Sequence, residues 1–277
     1  MAGRPALERR PHRTHDGCHL ETAHFHARGD ERGIILVPPL IGGSYVMFGR
    51  QFGLLVRCGF RVVSFNYRGH PPSRGLFDLR RAYSDTLDVL RTLRNAHPGK
   101  PLHVIGMCSG SLPLFHALDH APELVDRVVF VNAIHHIQQT ATPLEAARLY
   151  VRARGVRPPA GMGDAVSAVL DAIFPEIEKD ATRFGLLPYE NVRTWSVARD
   201  YLGVLAPRVR DMHKPALCCY GRGDAMLGLA EEPTLSSYKA AFRASFPGIV
   251  FAGFDADHFM DGHREAVSEQ ILAFLDQ

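Results

Sequence analysis

The chain is poor in features that would assign it to a class at once. Over 277 residues it has five cysteines, one tryptophan and a formal net charge of only +3. So few cysteines, odd in number and without paired spacing, exclude a disulfide scaffold and fit reduced thiols inside a cell. So slight a charge excludes the dense basic footprint of a nucleic-acid binder. No window approaches the ~18 consecutive apolar residues of a membrane span. The opening stretch "MAGRPALERRPHRTHDG" is basic but has no apolar core, so it does not read as a secretory signal. Repeats and low-complexity tracts are also lacking. The expectation is a soluble, cytoplasmic protein with no nucleic-acid or membrane partner.

What is present is material for a sizeable core. Hydrophobic residues make up 46% of the chain, ordinary for a globular domain of this length. The runs "GIILVPPL" (33–40), "FRVVSFNY" (60–67), "PLHVIGM" (101–107), "RVVFVNA" (127–133), "PALCCYG" (215–221) and "GIVFAGF" (248–254) read as buried strands. Between them, Leu79, Tyr83, Leu87, Leu90 and Leu93 recur at helical spacing over 78–96. A last helix is expected to start at a capping Asp261 and to repeat Val267, Ile271 and Leu275. Strands alternating with helices predict an α/β fold, a mostly parallel sheet covered on both faces, with active residues at the carboxyl ends of the strands. From 136 to 210 the alternation stops and only helical pieces occur, among them the segment holding Trp195. A stretch of roughly 70 residues far exceeds a normal crossover, so a helical cap inserted in a single domain is expected there.

The sharpest signal is "VIGMCSGS", 104–111. Strand, G-x-nucleophile-x-G, then helix is the pattern of a nucleophile elbow, in which a strained middle residue lifts its side chain above the sheet. The residues two before and two after must be small, because strand and helix nearly touch there. Gly106 and Gly110 meet that demand around Cys108. Centring the turn on Ser109 would put Met107 and Ser111 in the crowded places, and Met107 is too bulky.

With the elbow in place, "IILVPPLIGGS", "FRVVSFNYRGHPPSRG", "VIGMCSGS", "CCYGRGDAML" and "FDADHFM" fall in the order of the α/β-hydrolase superfamily, which the chain resembles from about residue 16 onward. Two departures stand out: Cys108 replaces the usual serine, and Pro38-Pro39 replaces the usual His-Gly. Both occur together in polyhydroxyalkanoate synthases, whose V-P-P-x-I and G-x-C-x-G segments these resemble. Those enzymes carry acyl groups as thioesters on the cysteine, taken from coenzyme A, although this chain is much shorter. Dienelactone hydrolases also use a cysteine elbow, but with two glycines after it, where Ser111 stands here.

The chain order nucleophile, acid, histidine of that superfamily points to Asp224 in "YGRGDAML" as the orienting acid and His258 in "FDADHFM" as the base. Asp224 has a bland alternative as a turn residue, and Asp255 and Asp257 are rivals set too close along the strand end. A tetrahedral oxyanion needs two donors. Ser109 N–H follows the nucleophile, and since Pro38 and Pro39 have no N–H, Leu40 is the first donor after the early strand, with Ile41 next in line. Amide dipoles at the start of the following helix favour a thiolate at Cys108. Pro39, Ile41, Met107, His135 and Trp195 are candidates to line the substrate pocket, with solvent exposure for His135 and cap core for Trp195 as their bland alternatives.

Some features compete for notice. His12, His15, Cys18, His19, His24 and His26 cluster near the start, yet fit no metal-ligand spacing, so a solvated, imidazole-rich hairpin edge is favoured and no metal or other cofactor is expected. Adjacent Cys218 and Cys219 face opposite sides of a strand and read as core. The chemistry favours a thioester donor: acyl-cysteine is itself a thioester, so loading from coenzyme A or an acyl carrier protein is nearly isoenergetic. The expectation is an acyltransferase or thioesterase in a biosynthetic pathway, with a cysteine-dependent ester or lactone hydrolase as the alternative and a non-catalytic binding protein as a third.

Overall fold

The computed structural model describes residues 6–27, 29–40, 44–45, 52–70, 72–75, 79–135, 209–225 and 227–277. Among the described residues eight strands form one sheet: β1 (Leu7–Arg13), β2 (His19–Phe25), β3 (Gly33–Leu36), β4 (Phe60–Phe65), β5 (Leu102–Met107), β6 (Arg127–Val131), β7 (Ala216–Gly221) and β8 (Val250–Phe254). Their spatial order is β1-β2-β4-β3-β5-β6-β7-β8. The β1–β2 hairpin is antiparallel and joins β4 antiparallel; every later pairing is parallel. The six expected strands all form, each one to four residues shorter than its apolar run. β3 stops at Leu36 because Pro38 and Pro39 have no N–H to continue a ladder.

Alternation along each strand sorts side chains to two cores. Val104, Phe130 and Cys218 face helices α2 (Leu79–Ala96), α3 (Ser111–His120) and α4 (Glu232–Ser245). Ile105, Val129 and Cys219 face α1 (Gly53–Arg57) and α5 (Arg264–Leu275). The two adjacent cysteines are therefore packed on opposite faces, and all five cysteines are free thiols. The centre of the first core is aromatic: Phe130 lies 5.0 Å from Phe115, 4.9 Å from Phe242 and 5.5 Å from Phe246, ring to ring.

Two local expectations are corrected. Helix α5 starts at Arg264, behind His263 and without a side-chain cap; Asp261 instead accepts a bond from Arg264 Nη2 at 2.5 Å. The early histidines divide: His15 and His19 are exposed as expected, whereas His12 and His24 are buried, 9% and 6% exposed. Among the described residues no group of three or more His, Cys, Asp or Glu could hold a metal ion, and no helix is long and apolar enough to cross a membrane. The expected helical cap at 136–210, with Trp195, lies outside the described residues except for its last two positions.

Candidate active site

Strand β5 delivers its chain end to a turn of 3-10 helix, Cys108–Gly110, that runs straight into α3. Met107 is still extended, and Cys108 takes φ +42°. A side chain other than glycine is rarely found there, and such strain is stored where function requires it. The neighbours explain the glycines. A Cβ on Gly106 would stand 2.9 Å from Leu114 Cδ2 and 3.0 Å from Ser111 Cα. One on Gly110 would stand 2.7 Å from the Pro38 carbonyl oxygen and 2.9 Å from that of Pro39. The left-handed, partly exposed residue is thus Cys108, while Ser109 is 7% exposed.

The imidazole of His258 comes from the loop after β8 and the carboxylate of Asp224 from the turn after β7. His258 Nδ1 lies 2.7 Å from Asp224 Oδ2, and the two residues are 5% and 0% exposed. The other carboxylate oxygen of Asp224 accepts Leu227 N–H at 2.9 Å, so its orientation is held from both sides. Burial opposes the charged form of His258. The charges of Asp224 and Cys108, together with hydrogen bonds to both, outweigh it and hold the imidazole well above its ordinary range. With Nδ1 turned to the carboxylate, Nε2 is the nitrogen left for the sulfur. The rival acids are engaged elsewhere: Asp255 with Arg222 at 2.7 Å, and Asp257 with Phe259 N–H at 2.9 Å.

The loop after β3 is laid against this turn, since the Pro38 and Pro39 carbonyls abut Gly110. Tyr67 Oη donates to the Pro39 oxygen at 3.0 Å, and Ser64 Oγ to the Val37 oxygen at 2.7 Å. These bonds fix the peptide that carries the Leu40 N–H, and Leu40 itself is half-buried. Ile41 lies outside the described residues. Pro39 is buried. Met107 is 8% exposed and packs in the second core. His135 is 4% exposed, between Phe115 at 4.9 Å and Phe242 at 5.0 Å, with Nε2 2.9 Å from Ser245 Oγ. Its solvent-exposed alternative is thereby set aside, and residues 136–208, which follow it directly, lie outside the described residues.

Sequence reasoning passed over Asn132, which directly follows β6. Its side chain reaches both the His258 loop and the end of β7. The available signal was a lone amide residue directly after the buried apolar run Val128–Val131.

Strand order, parallel register and a left-handed residue between β5 and α3 define the α/β-hydrolase fold. A family model described as alpha/beta hydrolase fold matches residues 33–159. The chain is similar to the solved structure of an enol-lactonase from Burkholderia xenovorans LB400, at 19% identity and TM-score 0.67, covering 97% of this chain and 100% of that one. It is similar to a hydrolase from Pseudomonas aeruginosa PA01, at 21% identity and TM-score 0.65, with 100% of each chain covered. An esterase from Exiguobacterium antarcticum aligns at 16% identity and TM-score 0.67, over 96% of this chain and 99% of the other. No curated protein matches the sequence.

Proposed function

We propose that the protein transfers acyl groups through a covalent intermediate on Cys108, taking them from a coenzyme A or carrier-protein thioester and releasing them to an acceptor. The observation that carries this is one imidazole, His258, bonded to the Asp224 carboxylate at 2.7 Å and hydrogen-bonded to Cys108, the left-handed residue of the elbow. That is the relation of base, orienting acid and nucleophile that covalent catalysis needs.

In the first half-reaction the Cys108 sulfur attacks the acyl carbonyl. A C–S bond forms and the carbonyl π pair moves to oxygen, facing the N–H groups of Ser109 and Leu40. Collapse breaks the donor's C–S bond, and its departing sulfur takes the proton held by His258. In the second half His258 removes a proton from water, an alcohol or an amine. The new bond forms at the acyl carbon and Cys108 leaves as thiolate. A sulfur nucleophile suits a sulfur donor, because thioester exchange is close to isoenergetic, whereas loading from an oxygen ester is uphill. Release to water or alcohol is then downhill, and exclusion of water decides between acceptors.

Intact-protein mass spectrometry after mixing with acyl-coenzyme A thioesters of graded length tests the reading. The expected result is a mass increase of one acyl group, mapped to Cys108 and absent from Cys108→Ala. Acylation of Asp224→Asn is expected to slow by on the order of 10³- to 10⁴-fold, since the carboxylate sets the imidazole tautomer. An adduct on Ser109, or a Cys108→Ser variant that processes thioesters as fast as the parent, would overturn it. A second reading, hydrolysis of esters or lactones on the same cysteine, is favoured by the likeness to an enol-lactonase and an esterase. It predicts turnover of oxygen esters without any carrier and no trapped acyl-enzyme when acceptor is withheld.

A further inference from the structure

Asn132 and Ile134, just after β6, bond the backbone at Cys108, at His258 and at Gly221, three positions before Asp224. Asn132 is 1% exposed and takes φ +40°. Its side-chain amide donates to the carbonyl oxygen of His258 at 2.8 Å and to that of Asp257 at 3.2 Å. Its Oδ1 accepts the N–H of Gly221, the last residue of β7, at 2.8 Å, three positions before Asp224. Two residues on, Ile134 N–H donates to the carbonyl of Cys108 at 3.1 Å. Ser111 Oγ lies 2.6 Å from that same oxygen and 2.6 Å from the Ile134 oxygen, locking the two turns together.

The backbone alone does not explain an asparagine here. A left-handed φ is open to glycine, asparagine and aspartate. The partners choose among them: two carbonyl oxygens require two donors, and one N–H requires an acceptor, which only a primary amide offers at this size. Aspartate would set lone pairs against two carbonyls, and glycine would take from the buried His258 carbonyl and Gly221 N–H the partner they have here. The His258 carbonyl is held by this amide while its ring is held by Asp224, so backbone and side chain are fixed independently.

We infer that Asn132 is a positioning residue for the reaction: its amide ties the acid-bearing turn to the base-bearing loop and so sets the distance at which His258 meets Cys108. This rests on the reading of Cys108 as nucleophile, and the test separates the two. Asn132→Gly keeps the left-handed backbone and deletes the amide; Asn132→Ser keeps one donor. Three measurements apply to each: the pH titration of the His258 ring by NMR, the rate of Cys108 alkylation by iodoacetamide at pH 7, and the split of turnover between kcat and KM.

Both variants are expected to fold by circular dichroism, with the His258 titration moved down toward the ordinary imidazole range. Alkylation and kcat should fall roughly 10- to 100-fold, the penalty of a misplaced catalytic group, with KM within about twofold. Asn132→Ser should lie between Asn132→Gly and the parent. A folded variant that retains the parental titration and alkylation rate overturns the inference. So does failure of both variants to fold, which would make Asn132 a structural residue alone. If His258→Ala leaves the alkylation rate of Cys108 in the otherwise parental protein unchanged, the nucleophile reading falls instead, whatever the Asn132 variants show.

Discussion

At Gly110 one added carbon would stand 2.7 Å from the Pro38 carbonyl oxygen and 2.9 Å from that of Pro39, and the latter is held in place by Tyr67 Oη. Both obstacles are backbone, so neither can rotate away. Gly110→Ala is expected to lose about 1–3 kcal/mol of stability, the usual result of overpacking, and to lose activity as well, since relief requires the peptide bearing the Leu40 N–H to move. Gly99, where an added Cβ meets nothing within 4 Å, supplies the control: Gly99→Ala should stay within about 0.5 kcal/mol. Urea unfolding of the two variants checks the contrast, and equal midpoints would contradict it. Such local sterics are why the elbow was legible in five letters of sequence. Asp224 and His258 were legible because each follows a recognisable apolar strand in a fixed order. Asn132 and His135 were not. Their partners are Gly221, Asp257 and His258 for the one and Ser245 for the other, all far along the chain, and nothing in the local pattern reveals which segments meet.

Among the elements, the loop after β4 is fastened by a buried ion pair beside the apolar packing of Tyr67. Arg68 and Asp85 have side chains 2% and 0% exposed. Arg68 Nε lies 3.0 Å from each Asp85 carboxylate oxygen, and Nη1 lies 2.7 Å from Asp16 Oδ2 in the β1–β2 turn. One guanidinium thus joins the hairpin, the β4 loop and α2. Removing one partner of a buried pair costs about 3–5 kcal/mol where the other charge is left alone; Arg68 keeps Asp16, so Asp85→Ala is expected to lose about 3 kcal/mol, the lower end, in urea unfolding. Asp16 is more exposed, and Asp16→Ala should lose less. A loss under 1 kcal/mol for Asp85→Ala would mean that the loop is held by something other than this pair. The same hairpin marks the limit of legibility at this scale. "LERRPHR" forms β1 with no apolar alternation to announce it, because an edge strand needs only the ladder offered by β2. Strands β3 to β7 were legible because burial on both faces makes them continuously apolar, while β8, the far edge strand, is only half-buried and was legible from its apolar run alone.

For the molecule as a whole, histidines set how stability responds to acid. Burial holds His24, His70, His103 and His116 each down to about 4, well below the ordinary imidazole value. An unfolded chain protonates these rings near 6.5 and the folded chain does not until about 4, so in that window the unfolded state binds more protons. Stability from these groups is therefore present above 6.5 and is lost as pH falls toward 4. His258 has the opposite sign: its contribution is complete below 6.5 and is lost only as pH rises through its raised folded value, so it does not offset the acid loss. The expected outcome is a urea midpoint that declines steadily between pH 6.5 and pH 4.5 while the sheet is still native at neutral pH. His103 gives the cleanest dissection. It is 4% exposed on β5, its ring packs edge-on to Phe60 at 6.0 Å, and its Nδ1 finds no partner among the described residues. Replacing it by leucine removes one titrating ring without stranding a hydrogen-bond partner of that nitrogen. The slope of unfolding free energy against pH should then fall by up to about 1.4 kcal/mol per pH unit, the value of one proton. An unchanged slope in His103→Leu would show that this ring binds its proton equally well in both states, and would remove burial as the cause of the acid response at that site.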